Sequence, residues 1–111
     1  MAIITDEYFK ERHSKLKEYT MVLLKPTERT KEKGIESLIM EHARNNMALQ
    51  EDGLLSIVCP VSGNYDISGL YIFNVPLDEV RKIMDGDPAV AAGIFQYDIY
   101  PCKGFSGDTL A

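Results

Sequence analysis

The fold is decided by the stretch LLSIVCPVSGNYDISGLYIFNV, residues 54–75. Its first part, Leu54–Cys59, predicts a strand that Pro60 closes, because proline cannot donate a hydrogen bond to a neighbouring strand. The composition of Val61–Asp66 is typical of a turn. The remainder, Ile67–Val75, predicts a further strand. Two strands therefore follow one another directly at the middle of the chain.

The flanking segments extend this pair outward in a symmetrical way. Upstream, apolar residues recur at helical spacing within Lys31–Asp52, and Tyr19–Lys25 predicts a strand before that helix. Downstream, Pro76–Gly86 predicts a short helix and Gly93–Tyr100 the last strand. The order β-α-β-β-α-β is that of a ferredoxin-like α+β fold. It predicts a four-stranded antiparallel sheet with both helices on one face.

The predicted strands are apolar on both faces, most clearly in Tyr19–Lys25 and Ile67–Val75. Two helices cover only one face of a sheet, so the other face needs a cover from outside the chain. A two-fold homodimer that packs sheet against sheet is the economical arrangement. Tyr71 and Phe73 are large enough to stack a nucleic-acid base, but the acidic balance of the chain favours their assignment to the dimer core.

Composition excludes several classes of protein. The chain has 111 residues, which fits one domain, and its 45% hydrophobic and 26% charged residues are typical of a globular protein. Twelve Lys and Arg against 17 Asp and Glu give a net charge of −5, which argues against nucleic-acid binding. No apolar run approaches the ~20 residues of a membrane span.

The cysteines and the start of the chain point to a reducing compartment. Cys59 and Cys102 are far apart in sequence and form no Cys-x-x-Cys pair, which argues against a zinc site and a disulfide framework. The first seven residues lack the basic flank and apolar run of a signal peptide. We therefore expect a cytoplasmic protein with two free thiols that uses no metal and no cofactor, and that binds neither nucleic acid nor membrane.

The chain direction through this topology brings chemistry-bearing residues to one end of the sheet. His42, in the first half of the long helix, and Asp87, after the short helix, are expected to approach each other there. A carboxylate beside an imidazole fixes its tautomer and raises its basicity, which suits a general base. His42 and Asp87 are therefore the candidate catalytic residues, and Lys25 and Cys59 are expected to line the same pocket.

Structural alternatives exist for three of these residues. Asp87 precedes Pro88, so it fits the role of a helix N-cap followed by proline at the first helical position. His42 lies on an apolar stripe, where a hydrogen-bonded core histidine is common. Cys59 beside Pro60 suits either a nucleophile or, more simply, a small buried thiol.

Several short segments of the sequence resemble one known family. They are Glu41-His42, Glu51-Asp52-Gly53-Leu54-Leu55, Asp87-Pro88-Ala89-Val90-Ala91-Ala92-Gly93 and Tyr100-Pro101. Together they resemble the YCII-related proteins of the dimeric α+β barrel superfamily. The resemblance covers about residues 19–105, so we divide the chain into an N-terminal helical extension (1–18), a ferredoxin-like domain (19–105) and a C-terminal tail (106–111). A polar helix is expected over residues 5–18, and a loose tail after Tyr100.

The resemblance implies a homodimer with an active-site pair at His42 and Asp87. It also implies a role in small-molecule degradation, to which a few family members are linked, including dehalogenation-type elimination. The sequence departs from the family pattern at Cys59-Pro60, at Arg44-Asn45-Asn46 and at Cys102.

Two functions from different classes follow. The first is a cofactor-free enzyme of lyase or isomerase type that acts on a small organic molecule. In it His42 moves a proton, Asp87 holds the imidazole and Lys25 offsets developing negative charge. The alternative is a non-catalytic homodimeric module that binds a small ligand or serves only in assembly.

Overall fold

The computed structural model describes residues 1–111 and contains one four-stranded antiparallel sheet. The elements in chain order are α1 (Asp6–His13), β1 (Leu16–Pro26), α2 (Glu36–Glu51), β2 (Leu55–Pro60), β3 (Gly69–Phe73), α3 (Leu77–Asp85), α4 (Pro88–Ala91) and β4 (Phe95–Phe105). A 3-10 turn, Glu28–Lys31, joins β1 to α2. The strand order is β2-β3-β1-β4. The predicted ferredoxin-like α+β fold is confirmed.

The two outer segments differ from the prediction. The first helix ends at His13 rather than at residue 18, and β4 continues to Phe105 instead of ending at Tyr100. The cause is a long antiparallel ladder in which β1 and β4 pair over their whole length, from Leu16 opposite Phe105 onward. Pro101 is tolerated inside β4 because this strand lies at the edge of the sheet. On its open side β4 has no neighbouring strand, so no hydrogen bond is lost there for want of a backbone N–H.

The hydrophobic core lies between the sheet and the helices. Val22 and Leu24 of β1 and Phe73 of β3 point toward the helices and are at most 2% exposed. Val80 and Met84 of α3 close over them, because they lie four residues apart on one face of that helix. Burying these apolar side chains is the main stabilising contribution to the domain.

Tyr71 and Phe73 belong to this core, so their assignment to a dimer interface was wrong. Tyr71 pairs with Val22 across the β1–β3 ladder, and directly paired residues share a face of the sheet. Both aromatic side chains are therefore covered by the chain's own helices. The opposite face carries their sequence neighbours Leu70 and Ile72, which are half-buried.

No helix is both long and apolar enough to cross a membrane.

Candidate active site

Helix α2 buries two polar residues rather than apolar ones. His42 and Asn46 are each 8% exposed, and no other residue of the helix is buried. They lie four positions apart, so both project from the same face of α2 toward the sheet. Burying polar groups is unfavourable unless they form hydrogen bonds. Their surroundings must therefore supply partners, and those partners define the site.

The first partner of His42 is Asp87, which lies immediately before α4. The Nδ1 atom of His42 is 2.9 Å from Oδ1 and 2.8 Å from Oδ2 of Asp87. The structure thus brings together the two residues that the topology predicts to meet. A carboxylate accepts hydrogen bonds only, so Nδ1 carries the proton and donates it to Asp87. In the neutral form of the ring, Nε2 is then the nitrogen that bears the lone pair.

Asp87 also caps helix α4, so the residue is both a helix N-cap and the hydrogen-bond partner of His42. Its Oδ2 accepts hydrogen bonds from the backbone N–H groups of Ala89 (3.0 Å) and Val90 (3.1 Å) at the start of α4. The side-chain amide of Asn45 donates to Oδ1 at 3.3 Å. These donors fix the carboxylate in place, and the carboxylate in turn fixes the ring of His42.

The same contacts keep Asp87 ionised. Asp87 is 1% exposed, and this burial alone would raise the pKa of its carboxyl. The hydrogen bond from His42 opposes the effect of burial, as does the charge that the imidazole carries when protonated, and the Val90 N–H and Asn45 add to them. Together they hold the pKa of Asp87 below its usual value. The imidazole therefore faces a carboxylate anion.

The second partner of His42 is Tyr71. Its Oη lies 3.0 Å from Nε2 of His42, and Nδ2 of Asn46 lies 3.2 Å from the same Oη. Since Nε2 is unprotonated in this tautomer, the phenol O–H donates to it, and Asn46 donates to the phenol oxygen. Burial raises the pKa of Tyr71 to about 12, with Asp87 adding to the rise and the Asn46 hydrogen bond opposing it. The phenol is therefore protonated at neutral pH.

A cavity of about 270 Å³ is lined in part by His42. Its polar lining includes His42, Asn46 and Tyr71, and no Lys, Arg, Asp or Glu side chain lines it. The apolar walls are Leu24, Ala43, Met47, Val58, Pro60 and Phe95. The ring of Phe95 is centred 5.2 Å from the imidazole. Asp87 is outside the lining and reaches the cavity only through His42.

Comparison with known families bears on this site. A family model for the YCII-related domain matches residues 19–103. The chain belongs to the YCII-related family. The match includes His42, Tyr71 and Asp87, so the site lies within the family domain. No curated protein sequence matches this YCII-related protein.

The solved structures similar to this YCII-related protein include the 5-chloro-2-hydroxyhydroquinone dehydrochlorinase of Burkholderia phenoliruptrix AC1100, in complex with 2,5-dihydroxybenzoquinone. The two share 17% sequence identity with a TM-score of 0.52, over 74% of this chain and 90% of that chain. At this level of identity the similarity shows a shared fold.

Lys25 and Cys59 do not line the cavity of this YCII-related protein. Both lie on the opposite face of the sheet, where Nζ of Lys25 forms an ion pair with Oδ2 of Asp98 at 2.8 Å. The lining contains instead Leu24 and Val58, the residues one position before them. Because side chains alternate between faces along a strand, an offset of one residue moves a side chain to the other face.

Asn46 and Tyr71 also belong to the site, although neither residue was predicted there from the sequence. A signal for Asn46 was present, because a polar residue four positions after His42 on the inward stripe of a helix requires a buried partner. Tyr71 carried no such signal. A tyrosine in an apolar strand packs well on either face, and only the position of α2 above the sheet shows which polar groups it meets.

Proposed function

We propose that this YCII-related protein is a cofactor-free enzyme that moves a proton on a small, uncharged organic substrate, in a reaction of lyase or isomerase type. One observation carries the proposal. His42 has its Nδ1 held by an ionised Asp87, and its ring lines a largely apolar cavity with Nε2 hydrogen-bonded to the neighbouring Tyr71. A general base needs a fixed tautomer and a lone pair that the substrate reaches once the Tyr71 O–H turns away.

The proposed step begins at a C–H bond beside a carbonyl group of the substrate. The lone pair of Nε2 takes the proton, the C–H electron pair forms a C=C bond, and the carbonyl π pair moves onto oxygen. The imidazolium that forms is stabilised by Asp87. In an isomerisation the proton returns to a different carbon. In an elimination a leaving group departs with its bonding pair, and His42 passes the proton to water.

The two members of the pair have different roles in this proposal. His42 is the catalytic residue, since its Nε2 lies at the cavity. Asp87 is a positioning residue, since it acts through the ring of His42. The absence of charged side chains from the cavity lining favours an uncharged substrate, because a buried ion without a partner is strongly unfavourable.

The similar solved structure favours elimination within this class. It is named a dehydrochlorinase and holds 2,5-dihydroxybenzoquinone. Loss of HCl removes a proton together with chloride, so it requires a proton acceptor, which is the role proposed for His42. The support is analogy through a shared fold.

The test is hydrogen–deuterium exchange at the carbons beside the carbonyl of cyclohexanone, followed by proton NMR in D₂O. We expect the wild-type protein to accelerate exchange, and His42→Gln to lower the protein-dependent rate by about 100-fold or more. His13→Gln is the matched control, because His13 lies on exposed helix α1 away from the cavity. Wild-type exchange no faster than in buffer, or equal rates for wild type and His42→Gln, would contradict the proposal.

We also propose that the functional unit is a homodimer formed through the uncovered face of the sheet. All the helices packed on the sheet lie on the other face, and Met21, Leu23, Leu70 and Ile72 leave this one apolar and half-buried. Sedimentation equilibrium tests this proposal. Leu70→Glu should give the molecular mass of a monomer, while Ser62→Glu in the exposed turn should give the same molecular mass as wild type. A monomeric wild type would overturn it.

A further inference from the structure

The O–H of Tyr71 donates a hydrogen bond to Nε2 of His42, the nitrogen that the proposed reaction uses as a base. We propose that Tyr71 is a second catalytic group whose phenol O–H changes its hydrogen-bond acceptor when substrate binds. In this structure the O–H donates to Nε2 of His42. When a substrate oxygen accepts this hydrogen bond instead, Nε2 becomes free to take a proton and the substrate is held in place for that transfer. This inference rests on the proposed function, since it assumes that Nε2 is the base.

The first step of the argument is the count of lone pairs. A neutral imidazole with a proton on Nδ1 has one lone pair available for a proton, at Nε2. The phenol oxygen of Tyr71 lies 3.0 Å from that atom and donates to it. Nε2 therefore cannot take a substrate proton until the phenol O–H turns to another acceptor.

The second step is the position of Asn46. Its amide donates to Oη of Tyr71 at 3.2 Å, while its distance of 3.5 Å from Nε2 is long for a hydrogen bond. The phenol oxygen of Tyr71 thus accepts a hydrogen bond from Asn46, and the phenol O–H stays free to rotate. The remaining direction for that O–H, besides Nε2, is the cavity that Tyr71 lines. Asn46 is a positioning residue for this exchange.

The third step is the chemistry of the acceptor. The raised pKa of Tyr71, about 12, keeps the phenol a hydrogen-bond donor. The cavity provides no cationic side chain for a carboxylate or a phosphate. The ligand that fits is an uncharged molecule with an apolar body and one exposed oxygen, such as a ketone or a quinone carbonyl. This oxygen recognition extends the proposed function by naming the substrate class.

The proposed exchange balances through one turnover. When Nε2 removes the proton beside the carbonyl, the π pair moves to the substrate oxygen, whose negative charge accepts the O–H of Tyr71. Return of the proton from Nε2 to carbon restores the carbonyl, and Tyr71 keeps its own proton throughout. A donor directed at an oxygen that becomes negative stabilises the transition state more than the ground state.

The binding experiment uses cyclohexanone and methylcyclohexane, which have similar shapes but differ in the oxygen. Cyclohexanone should bind about three- to tenfold more weakly to Tyr71→Phe than to wild type. Methylcyclohexane should bind no more weakly to the variant. Tyr97→Phe is the matched control, because Tyr97 is a tyrosine of β4 that donates to Asp85 instead and lies outside the cavity lining.

The ¹⁵N resonance of His42 Nε2 provides a readout that a merely structural role would not move. In wild type, cyclohexanone should shift this resonance toward the position it has in ligand-free Tyr71→Phe. If cyclohexanone binds and the resonance stays in place, the inference is overturned. This measurement needs only the wild-type protein with its His42 assignment, so it holds even where a variant folds poorly.

Exchange rates separate the inference from the proposed function. Tyr71→Phe should lower the exchange rate of cyclohexanone by about 100-fold, and Tyr97→Phe should not change it. Loss of exchange in His42→Gln with an unchanged rate in Tyr71→Phe would overturn the inference and leave the proposed function standing. A wild type that shifts the Nε2 resonance but catalyses no exchange would overturn the proposed function and leave the hydrogen-bond exchange standing.

Discussion

The two faces of the sheet each carry one acid–base pair, and the pairs differ in burial rather than in distance. On the helix side, His42 and Asp87 approach to 2.8 Å with 10% and 2% of their side chains exposed. On the open side, Lys25 and Asp98 approach to the same 2.8 Å with 36% and 42% exposed. Water and ions screen an exposed pair, whereas a buried pair depends on its partner for solvation.

This difference shows why only one pair is suited to chemistry. The hydrogen bond that Lys25 donates to Asp98 raises the pKa of Lys25, so the ammonium stays charged and satisfied at neutral pH. The imidazole of His42 instead has one nitrogen fixed by a carboxylate and the other hydrogen-bonded to Tyr71, and its ring lines a cavity. Burial makes the pair sensitive to each of its neighbours, and three experiments test that sensitivity.

The largest expected effect comes from removing the buried carboxylate. Asp87→Ala should lower the free energy of unfolding by about 3 kcal/mol, because it leaves His42 buried without its partner and also removes the cap of α4. Asp98→Ala on the open face is the matched comparison and should leave the urea midpoint close to that of wild type. Equal losses in the two variants, measured by urea unfolding, would contradict the contrast between the faces.

The same comparison shows which parts of the site a sequence can predict. The topology alone brings His42 and Asp87 to one end of the sheet, because the direction of each element follows from the order of helices and strands. The face is harder to predict. Lys25 follows Leu24, which faces the helices, so ordinary alternation turns Lys25 to the opposite face. The prediction placed Lys25 at the correct end of the sheet but did not consider which face it occupies.

For Cys59 the face depends on an irregularity. The ladder between β2 and β3 shifts register between Leu55 and Ile57, so both Leu55 and Val58 face the helices although they lie three positions apart. Strict alternation from Leu55 would have turned Cys59 toward the helices. A β-bulge inserts one extra residue and reverses the alternation after it, and its position depends on the partner strand.

The polar residues of α2 were visible in the sequence but their partners were not. In the structure Asn45 contacts Asp87 and Asn46 contacts Tyr71. Their side chains meet groups from α4 and β3, far away in sequence, and only tertiary packing determines such contacts.

The second effect is a pH dependence of stability that belongs to Asp87. Its pKa is lower in the folded protein than the ordinary value of 3.8. A carboxyl with a lowered folded pKa stabilises the fold fully above its unfolded pKa, and this contribution is lost as the pH falls through the folded value. The stability difference between wild type and Asp87→Asn should therefore shrink as the pH falls below about 4.

Urea unfolding of the two proteins at a series of acidic pH values measures this difference. His13→Gln is the control, because it leaves Asp87 and its donors in place and should keep the acid-dependent loss of wild type. A difference between wild type and Asp87→Asn that stays constant as the pH falls would show that the buried pair does not hold the carboxylate ionised.

The smallest effect concerns the outer support of the buried pair. Asn45 is half-buried and donates to Oδ1 of Asp87 at 3.3 Å, near the long end of hydrogen-bond distances. Asn45→Ala should lower the free energy of unfolding by about 1 kcal/mol, since Asp87 keeps its His42, Ala89 and Val90 donors. Arg44→Ala is the matched control, because the neighbouring Arg44 is exposed and its side chain donates a hydrogen bond to Glu41 rather than to Asp87. Because Asn45 also helps to lower the pKa of Asp87, the acid-dependent loss of stability should be smaller in Asn45→Ala than in wild type and should be complete at a slightly higher pH. An Asn45→Ala protein with wild-type stability and wild-type acid dependence would mean that the His42 and backbone donors alone fix the carboxylate.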